Sequence, residues 1–126
     1  TLLGSGAYAQ DGIWEVRRAA AAEAYGAGKY DEARQHLLVA LIASQRFGAF
    51  DLRYAHTLNE LGLAYFRLGE FGRAEPLHQQ ALAIRQQVLP AGDPLIAASL
   101  NDIGFLRVAQ GRYAEAELTF VVWVAR

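Results

Sequence analysis

The chain has 126 residues, of which 53% are apolar and 20% charged, and its formal net charge is −1. This length suits one domain of ordinary size, and the composition is too hydrophobic and too weakly charged for a disordered chain. The balanced charge argues against nucleic acid as a partner, since such binders carry a basic excess, and the absence of cysteine excludes disulfides, thiolate metal sites and thiol nucleophiles.

The first ten residues are predicted to be a leader. Thr1 is not an initiator methionine, and a short apolar stretch precedes Ala7-Tyr8-Ala9, a small-x-small pattern that resembles a signal-peptidase site. A flexible segment ahead of the first helix explains the same residues. Both interpretations stay open here, with a periplasmic or secreted location slightly favoured over a cytoplasmic one. No membrane span is predicted, because the longest apolar run, FVVWVA, is far shorter than the roughly 18 residues of a spanning helix.

From residue 11 onward the sequence is rich in Ala, Leu, Glu, Gln and Arg, which favour helices. Breaks at residues 26–28, 47–49, 68–69, 89–92 and 110–111 divide it into six predicted helices of about 12 to 18 residues. Asp51 and Asp93 are predicted N-caps, and Pro94 follows at the first helical position, where its missing N–H costs nothing. No segment shows the sustained alternation of a strand, so an all-α fold is predicted.

A repeat of 42 residues explains the spacing of these breaks. Shifting the chain by 42 places LNELG at 58–62 on LNDIG at 100–104, and GEF at 69–71 on GRY at 111–113. An earlier copy matches at a shift of 41, where GKY at 28–30 lies on GEF. The predicted divisions are a leader at 1–10, a degenerate repeat at 11–50, a second repeat at 51–92 and a truncated third repeat at 93–126.

Within each copy, two helices are predicted to form an antiparallel hairpin. Gly69 and Gly111 lie at the turn, where a residue able to adopt a positive φ ends the first helix. The small residues Gly62 and Ala74 are predicted to face each other across the hairpin, so that the two backbones approach closely. A bulky side chain at Gly62 should therefore overpack the crossing.

Large and small residues are spaced in the second copy as Leu58-x2-Leu61-Gly62-x2-Tyr65 and then Ala74-x3-His78-x2-Ala81. This pattern resembles the signature of the tetratricopeptide repeat over roughly residues 12–126. The 42-residue spacing resembles the kinesin-light-chain type, as do the segments TLNELGLAYFRLGEFGRAE and AEPLHQQALAIRQQVLPAGDP. The resemblance implies a right-handed superhelical solenoid of antiparallel helix pairs, with about three units and six helices. The third copy departs from the pattern at Arg107, which stands where the second has Tyr65.

In the family that the chain resembles, the first helices of successive repeats line a concave groove that binds an extended peptide or a helix. Asn59 and Asn101 match the asparagine that, in kinesin-light-chain-type repeats, hydrogen-bonds the backbone of a bound peptide, a role suited to an amide with both donor and acceptor. The alternative is that each asparagine caps or cross-links neighbouring helices. The resemblance also implies two arginines for acidic ligand groups and several apolar or polar contacts, namely Arg18, Arg67, Tyr25, His56, Leu63, Phe66 and Phe105. A place in the core explains Phe66 and Phe105 equally well.

No catalytic, cofactor or metal site is predicted. His36, His56 and His78 lie on three different predicted helices and lack the spacing that aims two histidines at one metal ion. No serine lies in a nucleophile elbow, and no glycine-rich phosphate loop is present in the sequence. The chain is therefore predicted not to be an enzyme, and His78 is predicted to be a packing or partly exposed residue.

The main functional hypothesis is a non-catalytic scaffold that binds a peptide or protein segment in the groove. The alternative is a regulatory or sensing arm of a larger enzyme, for example a bacterial caspase-like protease or signalling protein, whose catalytic domain lies outside this segment. A third hypothesis is self-association through the apolar last helix, at residues 120–124.

Overall fold

A computed structural model describes the backbone of residues 2–125 and the side chains of residues 12–120. This backbone forms six α-helices, as predicted, and one short 3₁₀ turn follows the second of them at Gln45–Phe47. The helices are α1 (Leu2–Gly26), α2 (Tyr30–Ser44), α3 (Leu52–Arg67), α4 (Phe71–Val88), α5 (Pro94–Ala109) and α6 (Tyr113–Ala125).

Helix α1 is 25 residues long and begins at Leu2, within the range predicted as a leader. The side chains of residues 1–11 lie outside the described part of the chain, and so do those of residues 121–126. The leader, its signal-peptidase pattern and self-association through the last helix therefore remain predictions. Within the described residues, no helix is both long enough and apolar enough to cross a membrane.

Each helix packs mainly against its neighbours in sequence. The pairs α1–α2, α3–α4 and α5–α6 form hairpins, and α2–α3 and α4–α5 join one hairpin to the next. Because every repeat packs against the adjacent one, the result is an all-α helical solenoid. The described backbone contains no strand.

The predicted N-caps of α3 and α5 and the predicted end of α3 are confirmed. The carboxylate of Asp51 accepts a hydrogen bond from the Arg53 backbone N–H, and that of Asp93 accepts one from Leu95. Gly69 has a φ of 77°, in the left-handed region that glycine tolerates best, so α3 stops there and the chain reverses into α4.

Leucines and alanines form the core between the hairpins. Its central cluster joins Leu37 of α2, Leu61 and Tyr65 of α3 and Leu106 of α5, so one apolar layer runs through all three repeats. The first repeat is tied to the second by a buried hydrogen bond of 2.9 Å, which Trp14 Nε1 donates to the hydroxyl of Thr57. These contacts hold α1, α3 and α5 in a common register.

The atoms nearest to a Cβ built at Gly62 do not belong to the predicted Ala74. The space above Gly62 is filled by the ring of His78, and a Cβ there would lie 2.7 Å from Nε2. The same arrangement recurs one repeat later, where the ring of Phe120 covers Gly104. The glycine makes room for an aromatic ring four residues beyond the predicted alanine, because the ring on α4 or α6 extends across to the facing helix.

Arg107, which replaces the repeat's usual tyrosine, forms an ion pair instead of an aromatic contact. Its Nε lies 3.6 Å from a carboxylate oxygen of Glu75, and its guanidinium donates to the Thr119 hydroxyl. Arg112 also donates to Glu75, at 2.8 Å. Arg107 and Arg112 of the third repeat therefore both form ion pairs with Glu75 of α4.

Candidate binding groove

Two adjoining pockets lie along the helices that begin each repeat. The first has a volume of about 320 Å³ and is lined by Tyr25, Leu63, Phe66, Arg67, His78, Asn101, Asp102 and Phe105. The second has a volume of about 280 Å³ and is lined by Ala21, Ala22, Tyr25, Gly26, Leu37, Glu60 and Leu63. Because they share Tyr25 and Leu63, we call the two pockets together the groove.

The 42-residue register places these side chains together. Residues one repeat apart lie side by side on neighbouring first helices, and cross-repeat contacts follow this spacing. Arg67 Nε donates a hydrogen bond of 3.0 Å to the hydroxyl of Tyr25, 42 residues earlier, and its guanidinium lies 5.8 Å from the ring centres of Tyr25 and Tyr30. The bond holds Arg67 at the rim of the first pocket.

Aromatic rings line the first pocket. Phe66 is half-buried and packs against Phe71, with ring centres 5.6 Å apart. Phe105 contacts Phe120 edge to face at 5.7 Å but remains 54% exposed. An exposed phenylalanine that also lines a pocket offers apolar surface to a ligand.

A charged cluster lies beside the second pocket. Arg18 Nε donates to a carboxylate oxygen of Glu60 at 2.8 Å, and His56 Nε2 lies 3.3 Å from the same oxygen. Arg18 also stands over the ring of Trp14, at 4.8 Å. Both predicted groove residues, Arg18 and His56, thus meet a carboxylate of the chain itself.

Asn59 connects three helices from a buried position, with 7% of its surface exposed. Its Nδ2 donates to the Asp102 carboxylate at 3.1 Å, which leaves Oδ1 to accept from His78 Nδ1 at 2.9 Å. Asn101, at the equivalent position, is half-buried, lines the first pocket and makes no side-chain hydrogen bond within residues 12–120. The two asparagines therefore have different surroundings.

Burial controls the protonation of the histidines in this region. It lowers the pKa of His78, the Arg85 charge adds to the effect, and Asp102 and a backbone hydrogen bond at Gly62 oppose it. Burial likewise lowers the pKa of His56, with Glu60 opposing and Arg18 and Arg85 adding. His78 is 1% exposed and packs in the core, so the structure favours packing over the partly exposed alternative.

The protein is expected to lose stability as the pH falls below about 6.5, the ordinary pKa of histidine. The unfolded chain then protonates His78, whereas the folded chain, with its lowered pKa, keeps the ring neutral, so the loss continues until the folded pKa is reached. The limiting slope for one histidine is about 1.4 kcal/mol per pH unit. Urea unfolding from about pH 7.5 to about pH 5.5 measures the effect.

The matched variant is His78→Phe, which introduces the residue type of Phe120, the equivalent residue of the next repeat. It removes the titrating ring and should reduce the pH dependence, while His56 continues to contribute. A pH dependence identical in both proteins would assign the effect to groups other than His78.

The first pocket brings together six of the predicted site residues, and Arg18, His56 and Asn59 lie next to the groove. The prediction missed Glu60, Asp102 and His78. A signal was present, because Glu60 and Asp102 are acidic at the same position of consecutive repeats. Whether these residues contact a ligand stays a prediction.

No group of three or more metal-ligating side chains is assembled within residues 12–120. His36 is half-buried and accepts a hydrogen bond of 3.0 Å from Arg17, when its Nδ1 is unprotonated. His56 contacts Glu60, and His78 is hydrogen-bonded to Asn59. These contacts are those of residues that pack and cross-link helices.

A solenoid of helical hairpins with a groove along its first helices defines a repeat scaffold for protein interactions. The profile of the tetratricopeptide repeat family matches residues 14–87 and, overlapping them, residues 55–120. The chain belongs to this family, and its 42-residue spacing is that of the kinesin-light-chain type. Such repeats are generally non-catalytic and bind proteins or peptides.

Two solved structures have a similar fold. BtubC (BKLC) from P. vanneervenii is 28% identical with a TM-score of 0.81, and the match covers 89% of this chain and 45% of that one. The tetratricopeptide repeat domain of Arabidopsis FLU is 18% identical with the same TM-score, and covers 93% of this chain and 96% of that domain. The chain thus spans less than half the length of BtubC. A comparison with curated proteins found no match.

Proposed function

We propose that the protein binds an extended peptide or protein segment along the groove and contributes no chemistry of its own. The observation that carries the proposal is the pair of adjoining pockets on α1, α3 and α5, which share Tyr25 and Leu63. Together they offer an elongated, largely apolar surface with polar groups at its edges, as expected of a peptide site.

The groove residues have three different roles toward the ligand. Leu63, Phe66 and Phe105 supply apolar area that is partly exposed, which a ligand side chain can cover. Asn101 is the asparagine suited to a ligand backbone, because its amide makes no side-chain hydrogen bond within the described residues. Asn59 supports the groove from below, since both ends of its amide are occupied.

Phe105→Ala is expected to weaken peptide binding about 10-fold, because truncating an aromatic residue in a binding pocket removes one of the contacts that dominate affinity. Peptides are first selected from a random 12-residue display library with the wild-type protein. Their dissociation constants are then measured by fluorescence anisotropy for the wild type and the variant.

Phe50→Ala is the matched control. Phe50 is 58% exposed, close to the exposure of Phe105, but it lies in the loop before α3 and lines neither pocket. The control should bind as the wild type does. If Phe105→Ala unfolds at the wild-type urea concentration and yet no selected peptide loses affinity, the groove is not the binding surface.

The hypothesis of a sensing arm of a larger enzyme is compatible with the same groove. It concerns the protein outside this segment and stays a prediction.

A further inference from the structure

The carboxylate of Asp102 forms one wall of the first pocket and is held in a defined position. Asn59 Nδ2 donates to it at 3.1 Å, and Asn59 is itself fixed by the ring of His78. Asn59 and His78 are both buried, so the support beneath the carboxylate is rigid.

The equivalent carboxylate one repeat earlier is that of Glu60, and it forms an ion pair with an arginine. Arg18 of the preceding repeat donates to it at 2.8 Å. The first copy matches the second at a shift of 41, so Arg18 corresponds to Asn59. Asn59 is the residue beside Asp102, and it is neutral. The same position therefore receives a full positive charge in one repeat and only an amide N–H in the next.

No cation of the described chain takes Arg18's place at Asp102. None of the ion pairs within residues 12–120 involves this carboxylate. Burial lowers the pKa of Arg85, and the charges of Asp102 and Asp93 oppose this effect, so the Arg85 charge reaches Asp102 only at a distance. Its guanidinium hydrogen bonds go to Ser99 and to the backbone carbonyl of Leu95. Arg67 donates its hydrogen bond to Tyr25. On α3 it lies seven residues after Glu60, the equivalent of Asp102, which is about 10 Å along the helix axis.

The rest of the pocket suits a long basic side chain. Leu63, Phe66 and Phe105 provide apolar surface for its methylene groups, and the aromatic rings attract a cation placed over their faces. A carboxylate in a pocket that aromatic rings also line is complementary to an ammonium or guanidinium group.

We propose that the first pocket selects ligands that carry a lysine or arginine side chain, whose cation pairs with Asp102 as Arg18 pairs with Glu60. The proposal rests on the proposed function, since it requires a peptide in the groove. It reverses the polarity predicted from Arg18 and Arg67, which implied acidic ligand groups.

The test selects random 12-residue peptides on three proteins, namely the wild type, Asp102→Asn and Asp31→Asn. Asp102→Asn removes the charge but keeps an oxygen that can accept from Asn59. Asp31→Asn removes an equal charge on α2, outside the groove. Lysine or arginine should be enriched at one position in peptides selected by the wild type and by Asp31→Asn, and the enrichment should disappear with Asp102→Asn.

A chosen peptide is then synthesised with its basic residue and with glutamine in its place. Either Asp102→Asn or the glutamine peptide should weaken binding about 3- to 10-fold. The two changes together should weaken binding little more than one alone, because each removes the same ion pair. The loss for the wild-type pair should also shrink at high salt. The glutamine peptide needs only the wild-type protein, so a poorly folded Asp102→Asn does not prevent the test.

The outcomes separate the two proposals. Peptides that depend on Phe105 but show no basic preference, or that bind equally to wild type and folded Asp102→Asn, overturn the inference and leave the proposed function intact. Acidic peptides that depend on Arg67 also overturn it. Peptides indifferent to Phe105→Ala overturn the proposed function and the inference with it.

Discussion

Gly62→Leu is expected to destabilise the protein by about 3 kcal/mol, the upper part of the usual range for overpacking. Even a methyl group at this position would lie 2.7 to 2.9 Å from three atoms of the His78 ring. The ring cannot move away easily, because it is fully buried and hydrogen-bonded to Asn59. The free energy of urea unfolding measures the cost.

Gly72→Leu is the matched control for this prediction. Gly72 lies in the first turn of α4, and nothing is within 4 Å of a Cβ built there. Replacing a helical glycine in open space should be neutral or should stabilise by up to about 1 kcal/mol. Equal stability of the two variants would contradict the packing of His78 against Gly62.

A double-variant cycle identifies the clashing residue. Gly62→Ala should cost markedly less when combined with His78→Ala, because the smaller side chain leaves room for the new methyl group. Costs that add independently at Gly62 and His78 would assign the strain elsewhere.

The sequence predicts the helices and their ends well, because the signals are local. Asp51 and Asp93 cap the helices that directly follow them, and Gly69 terminates the helix that precedes it. The repeat register then predicts which helices share a face, since equal positions in consecutive copies must lie side by side. The resemblance to the tetratricopeptide repeat implied that Leu63, Phe66 and Phe105 belong to the groove, and all three line one pocket.

The predictions were less successful where a residue's role depends on side chains from other helices. Gly62 was expected to face a small residue on α4, but the register does not reveal that the His78 ring reaches across. Asn59 and Asn101 are equivalent in sequence, yet among the side chains of residues 12–120 only Asn59 has an aspartate and a histidine within hydrogen-bonding distance. The resemblance implied Arg18 as a ligand contact, and the sequence did not reveal that Arg18 pairs with Glu60, 42 residues away on another helix.

Asn59→Ala is expected to lower the free energy of unfolding by about 2 to 3 kcal/mol. The substitution leaves the Nδ1–H of His78 without an acceptor in a position that water does not reach, and a buried donor without a partner costs about 1 to 3 kcal/mol. The space vacated by the amide adds a smaller packing penalty. Asp102, which is half-buried, can be hydrated in place of its lost bond.

Asn101→Ala is the same substitution at the equivalent position of the next repeat, and it should change stability by no more than about 0.5 kcal/mol. Its amide lines the first pocket and makes no side-chain hydrogen bond within residues 12–120, so its removal should instead weaken peptide binding. Urea unfolding and peptide affinity measured on both variants therefore separate support from contact. If both asparagines affected stability equally, the buried bridge from Asp102 through Asn59 to His78 would not be the cause, because Asn101 takes no part in it.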